Sequence, residues 1–139
     1  MKKICIVYAS LSGNTEDIAN LIKANLEKNY LVDLKPAEYT LFNDVSSYDG
    51  IIIGTYTWND GIIPFEFNQF FTSIDERIKD KYIGIYGSGD MKYKFYCTAV
   101  DSFYNKVKSF GTKISENKLK MELGPDNEEK IKLIKIFTE

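Results

Sequence analysis

Residues 10–15 read Ser-Leu-Ser-Gly-Asn-Thr. Ser10, Ser12 and Thr15 bring hydroxyls, Asn14 an amide and Gly13 a backbone without a Cβ, and no Lys or Arg lies among them. The run follows an apolar stretch and opens an amphipathic one, the pattern of a strand-to-helix turn. Free backbone N–H groups at a helix start, together with the positive end of the helix dipole, bind anions. Hydroxyls add donors, and glycine lets the backbone come close. Such a cradle of neutral donors suits a phosphate that stays in place. A nucleotide-hydrolysing loop needs a Lys for the terminal phosphates, so hydrolysis is disfavoured. Glu16 and Asp17 follow directly and would have to point outward. The competing reading is an ordinary turn capped by Ser12 or Asn14.

Two further polar segments follow apolar runs. Residues 55–61 are Thr55, Tyr56, Thr57, Trp58, Asn59, Asp60 and Gly61, and Trp58 is the only tryptophan of the chain. Asn-Asp-Gly is turn chemistry, so the indole sits at a polar tip. Residues 87–97 carry Ser88, Gly89 and Asp90, then Tyr93, Phe95, Tyr96 and Cys97. The competing readings are an exposed indole at a turn, and aromatics folding back onto the core. Taken together, an anion cradle, an indole and a phenol fit a flat ring system tethered to a monophosphate. His is absent, which removes the commonest general base and metal ligand and excludes Ser-His-Asp and Cys-His catalysis. Cys5 and Cys97 show no metal-like spacing and read as two reduced thiols.

The elements that must position these loops alternate. Short continuous apolar runs at residues 3–9, 50–56 and 81–89 predict strands buried on both faces. Residues 30–35 and 118–123 alternate in polarity and predict edge strands. Helical stripes run over residues 14–28, 65–78 and 98–110, another helix begins near residue 126, and residues 40–47 suit one or two helical turns. Strand and helix in alternation imply an α/β fold, a doubly wound parallel sheet of five strands with helices on both faces. Ligands then sit at the C-terminal ends of the strands, at a switch in strand order. The 139 residues suit a single domain, 1–139. A formal net charge of −2 offers no basic footprint for nucleic acid or for an anionic membrane. No apolar stretch approaches the ~20 residues of a membrane span, and the N-terminal run is too short for a signal-peptide core. The expected location is the cytoplasm.

With these motifs the sequence resembles the flavodoxins, carriers that bind FMN. "SLSGNT" is similar to the family's S-x-T-G-N-T phosphate loop, with Ser12 in place of the usual Thr. "TYTWNDG" resembles its first flavin loop, T-W-G-D or T-Y-G-D, and "GSGDMKYKFYCTAVD" its second, G-x-G-D-x-x-Y-x-x-F-C-x-A-V-D. The resemblance covers essentially the whole chain, and its three motifs stand in the right order and spacing. Only Ser-Glu-Asn separates Ile114 from the last strand, which leaves no room for the insertion of long-chain members, so the resemblance is to the short-chain group. The strand order 2-1-3-4-5 is implied by the resemblance, the family being the type example of that order.

The resemblance implies roles. Ser10, Ser12, Asn14 and Thr15 hold the phosphate, with the backbone of Leu11 and Gly13, and Thr57 and the Trp58 indole reach toward it. Trp58 covers one flavin face and Tyr93 the other. Backbone near Ser88, Gly89, Asp90, Phe95 and Cys97 meets the pyrimidine edge, while Thr55, Tyr56, Asn59 and Asp60 complete the first loop. The function implied is low-potential transfer of single electrons by a monomer with tightly bound FMN. It would form transient complexes with a flavin- or iron-sulfur-containing reductase and an acceptor enzyme, and is not itself an enzyme. The alternative is a flavodoxin-like quinone or nitro reductase. Two departures stand out: Asn59 where the family commonly has Gly, and Lys92 and Lys94 flanking Tyr93 where it is usually acidic.

Overall fold

The computed structural model describes residues 2–10, 13–56, 63–89, 97–111 and 118–122. The strands are β1 (Lys3–Tyr8), β2 (Leu31–Pro36), β3 (Gly50–Tyr56), β4 (Tyr82–Gly89) and β5 (Lys118–Glu122). They form one sheet in the order β2-β1-β3-β4-β5, with every neighbouring pair parallel. The continuous runs are the three inner strands, and the two alternating ones lie at the edges. The chain leaves β1 for β2 on one side and reaches β3 on the other, which opens a crevice where the order switches.

Alternate residues of each strand enter opposite core layers. Cys5, Val7, Ile51, Ile53, Ile83 and Ile85 face one layer, and Ile6, Ile52 and Tyr86 the other. The second layer is closed by α1 (Asn14–Leu26), whose Ile18, Ala19, Ile22 and Leu26 form one buried stripe. The first is closed by α2 (Phe42–Val45), α3 (Asn68–Ser73) and α4 (Thr98–Lys108). Its centre is aromatic: Phe67 meets Phe103 edge-on, with ring centroids 4.8 Å apart.

The structure divides the helix expected over residues 65–78. A 3-10 turn at Phe65–Phe67 runs into α3, Ile74 is extended at φ −61°, ψ 130°, and a second 3-10 turn spans Glu76–Asp80. Polar side chains compete with the helix there. Ser73 Oγ donates to the Phe70 carbonyl and accepts the Phe42 N–H, while the Asp75 carboxylate accepts the Arg77 N–H. The apolar positions Phe67, Phe70, Ile74 and Ile78 are buried all the same. The helix expected from residue 126 lies outside the described residues.

Candidate functional site

The sheet's C-terminal edge gathers the ends of β1, β3 and β4 beside the start of α1. Past β1, the Ala9 N–H donates to the Gly54 carbonyl at 3.0 Å, and the chain then turns. Ser10 Oγ accepts the Gly13 N–H at 3.0 Å. Gly13 has φ 90°, ψ −11°, a left-handed conformation that glycine adopts without penalty. A Cβ there would meet nothing within 4 Å, so the requirement is conformational rather than steric. Gly13 is the residue that precedes α1, and no side chain caps the helix from that position. Asn14 is thus the first helical residue and not the cap, and Ser12 lies outside the described residues. Glu16 and Asp17 are exposed and leave the helix start to its amides.

Thr15 is buried and held at two points from β4. Its Oγ1 lies 2.8 Å from Ser88 Oγ, and its carbonyl accepts the Tyr86 hydroxyl at 3.0 Å. Tyr86 is fully buried, and burial holds its phenol well above the ordinary value, so it remains a donor at neutral pH. Its ring lies across Gly54, its register partner on β3, where a Cβ would stand 2.1 Å from Tyr86 Cζ. Among the described residues the Thr15 and Ser88 hydroxyls have each other as partners. Two hydroxyls carry two protons, and one contact uses only one of them. The second proton calls for an acceptor beside the α1 N-terminus, and a phosphate is an acceptor-only group. The residues present therefore fit a phosphate-bearing ligand.

The other predicted positions fall as follows. Thr55 is buried and its hydroxyl donates to the Tyr56 carbonyl at 2.8 Å. The Tyr56 hydroxyl donates to both Glu66 oxygens at 2.9 Å, and burial, then the Glu66 bond, pushes this phenol up. Ser88 pairs in register with Tyr56, and Gly89 ends β4. Cys97 is buried at φ 52°, ψ 26°, just before α4. Leu11, Ser12, Thr57, Trp58, Asn59, Asp60, Asp90, Tyr93 and Phe95 lie outside the described residues. A cavity of about 230 Å³ opens on the β2 side, lined by Tyr8, Ser10, Glu16, Glu38 and Glu66 among others. Among the described residues, no cluster of three or more acidic, Cys or His groups could hold a metal, and no helix is long and apolar enough to cross a membrane.

Tyr86 and Gly54 were not among the expected site residues. The available signal was a tyrosine inside a buried strand, whose hydroxyl needs a partner, and a glycine inside another strand, which often marks close approach.

Comparison with known proteins agrees with this fold. The family model described as Flavodoxin matches residues 6–137. "Probable flavodoxin 1" of Bacillus subtilis is 38% identical, over 99% of this chain and 88% of its own. The crystal structure of oxidised Flavodoxin 2 from Bacillus cereus superposes with a TM-score of 0.91 at 40% identity, covering 98% of this chain and 94% of its own. A Fusobacterium nucleatum flavodoxin bound to flavin mononucleotide shares the fold at a TM-score of 0.82 and 18% identity, covering 99% of this chain and 95% of its own.

Proposed function

This chain belongs to the flavodoxin family, and from that premise we propose how its own residues serve an FMN-dependent electron carrier. FMN supplies the capacity to take and give single electrons, and the protein supplies binding, orientation and electrostatics. Ser10, Ser12, Asn14 and Thr15 hold the phosphate with the backbone of Leu11 and Gly13, and Thr57 assists. Trp58 and Tyr93 cover the two ring faces. Backbone at Ser88, Gly89, Asp90, Phe95 and Cys97 meets the pyrimidine edge, and Asn59 lies next to the ring in the first loop, with Thr55, Tyr56 and Asp60. The observation that carries this reading is the buried Thr15–Ser88 hydroxyl pair beside the start of α1, one of whose two protons is left for a further acceptor.

The same residues set a low potential. Fully reduced FMN is an anion near neutral pH, so electron-rich rings and carboxylates disfavour it. A carboxylate ~6 Å away at an effective dielectric of ~20 contributes about 3 kcal/mol, against ~0.5–1.5 kcal/mol for an aromatic contact. One electron across ~59 mV is about 1.4 kcal/mol, so Trp58, Tyr93, Asp60 and Asp90 act jointly. Lys92 and Lys94 soften that field. The protein works as a cytoplasmic monomer of one domain, 1–139, with FMN tightly bound. It forms transient complexes with a flavin- or iron-sulfur-containing reductase and an acceptor enzyme.

Fluorescence tests the assignment, because the only indole is Trp58. Titrating flavin-free protein with FMN should quench tryptophan emission in step with flavin binding, and potentiometry of the loaded protein should resolve two one-electron steps. Stoichiometric FMN uptake with unchanged tryptophan emission would remove Trp58 from the ring face. A single two-electron step would count against the carrier.

A further inference from the structure

Ser88 was expected to serve the ring through its backbone, yet its side chain turns to the phosphate loop. Thr15 and Ser88 are 1% and 4% exposed, and they lie 73 positions apart in the chain. Tyr86 and Ser88 occupy alternate positions of β4, hence one face of the sheet. The first fixes the Thr15 carbonyl and the second meets its hydroxyl. Within the hydroxyl pair there are two orientations. If Thr15 donates to Ser88, the free proton belongs to Ser88. If Ser88 donates to Thr15, the free proton belongs to Thr15, at the start of α1. A hydroxyl that accepts one hydrogen bond donates a stronger one, since linked bonds polarise each other.

We propose that Ser88 is a positioning residue for the phosphate: it donates to Thr15 Oγ1 and thereby directs the Thr15 proton toward the anion. This rests on the reading that Thr15 helps to hold the phosphate. The Ser88 side chain itself need not touch FMN. Its position near the end of β4 ties the strand that leads into the second flavin loop to the α1 start.

The test separates phosphate from ring. Dissociation constants of FMN and of riboflavin, which lacks the phosphate, are measured on the flavin-free parent, Ser88→Ala, Ser88→Cys, Thr15→Val and Thr15→Ser in phosphate-free buffer. Ser88→Ala should raise the FMN constant about fivefold, the worth of one hydrogen bond, and leave the riboflavin constant within about twofold. Ser88→Cys, a weaker donor of similar size, should fall between parent and Ala. Thr15→Ser should keep the parent's preference for FMN. If Ser88→Ala weakens both ligands equally, or neither, Ser88 only fills space and the proposal is overturned. If Thr15→Val lowers the FMN preference while Ser88→Ala does not, the proposal fails alone. If Thr15→Val leaves the preference intact, the underlying assignment of Thr15 fails and takes the proposal with it.

Discussion

Replacing Gly54 by alanine should destabilise the protein strongly, against the usual sign for such a change in a strand. Alanine ordinarily gains roughly 0.5–1 kcal/mol over glycine in a regular element. Here the new Cβ would lie 2.1, 2.2 and 2.5 Å from Cζ, the hydroxyl and Cε1 of Tyr86, where carbon contacts sit at about 3.5–4.0 Å. The nearest atom would have to retreat by well over 1 Å. Tyr86 has little freedom to do so: it is fully buried, packed in one layer with Ile18, Ile22 and Ile52, and bonded to the Thr15 carbonyl. Nor can β3 yield, since β1 and β4 are paired to either side of it. Overpacking costs about 1–3 kcal/mol, and losing the Tyr86 bond adds about 1 kcal/mol. The total, about 2–4 kcal/mol, would lower a urea midpoint by roughly 1–2 M for a domain of this size. Urea unfolding of the flavin-free proteins reads it directly. Adding Tyr86→Leu, which removes the three clashing atoms, should make the double variant more stable than the two single losses predict, by at least about 1 kcal/mol. A Gly54→Ala protein as stable as the parent would refute the packing argument.

Two further outcomes follow from a half-buried phenol and from two buried thiols. The Tyr48 hydroxyl donates to the Asp33 carboxylate, and that bond, then burial, raises the phenol to about 12 from an ordinary 10.0. A folded value above the unfolded one stabilises fully below pH 10 and is lost as pH rises through about 12. Urea midpoints measured from pH 8 upward should therefore fall less steeply for Tyr48→Phe than for the parent across that window, and parallel curves would exclude the link. Cys5 and Cys97 form no disulfide with each other and are fully buried, and burial pushes the Cys5 thiol up to about 12. An aromatic disulfide reagent at pH 8 should find two thiols in urea and neither rapidly in the native protein; rapid native labelling would contradict the packing.

Much of the fold was legible because its signals are local. The run Gly50–Tyr56 is a strand over the residues its apolar continuity predicted, and α1 starts at Asn14 as its spacing required. Edge and inner strands were told apart by alternation against continuity, because a parallel inner strand has no solvent face. The helix over residues 65–78 misled for the converse reason. Its apolar spacing is helical, but Ser73 and Asp75 offer the backbone other hydrogen bonds, and periodicity carries no weight for that competition.

The chain's own order of residues determined the sheet class, the run of neutral hydrogen-bonding residues from Ser10 to Thr15, and the absence of histidine. Tertiary structure decided which hydroxyls meet. That the Ser88 hydroxyl meets Thr15, and that Gly54 must be bare because Tyr86 lies over it, depends on the register of β3 with β4 and on the depth at which α1 packs. Propensity and periodicity act over a few neighbouring residues, whereas a hydrogen bond across 73 positions exists only once the strands are aligned and the helix is seated.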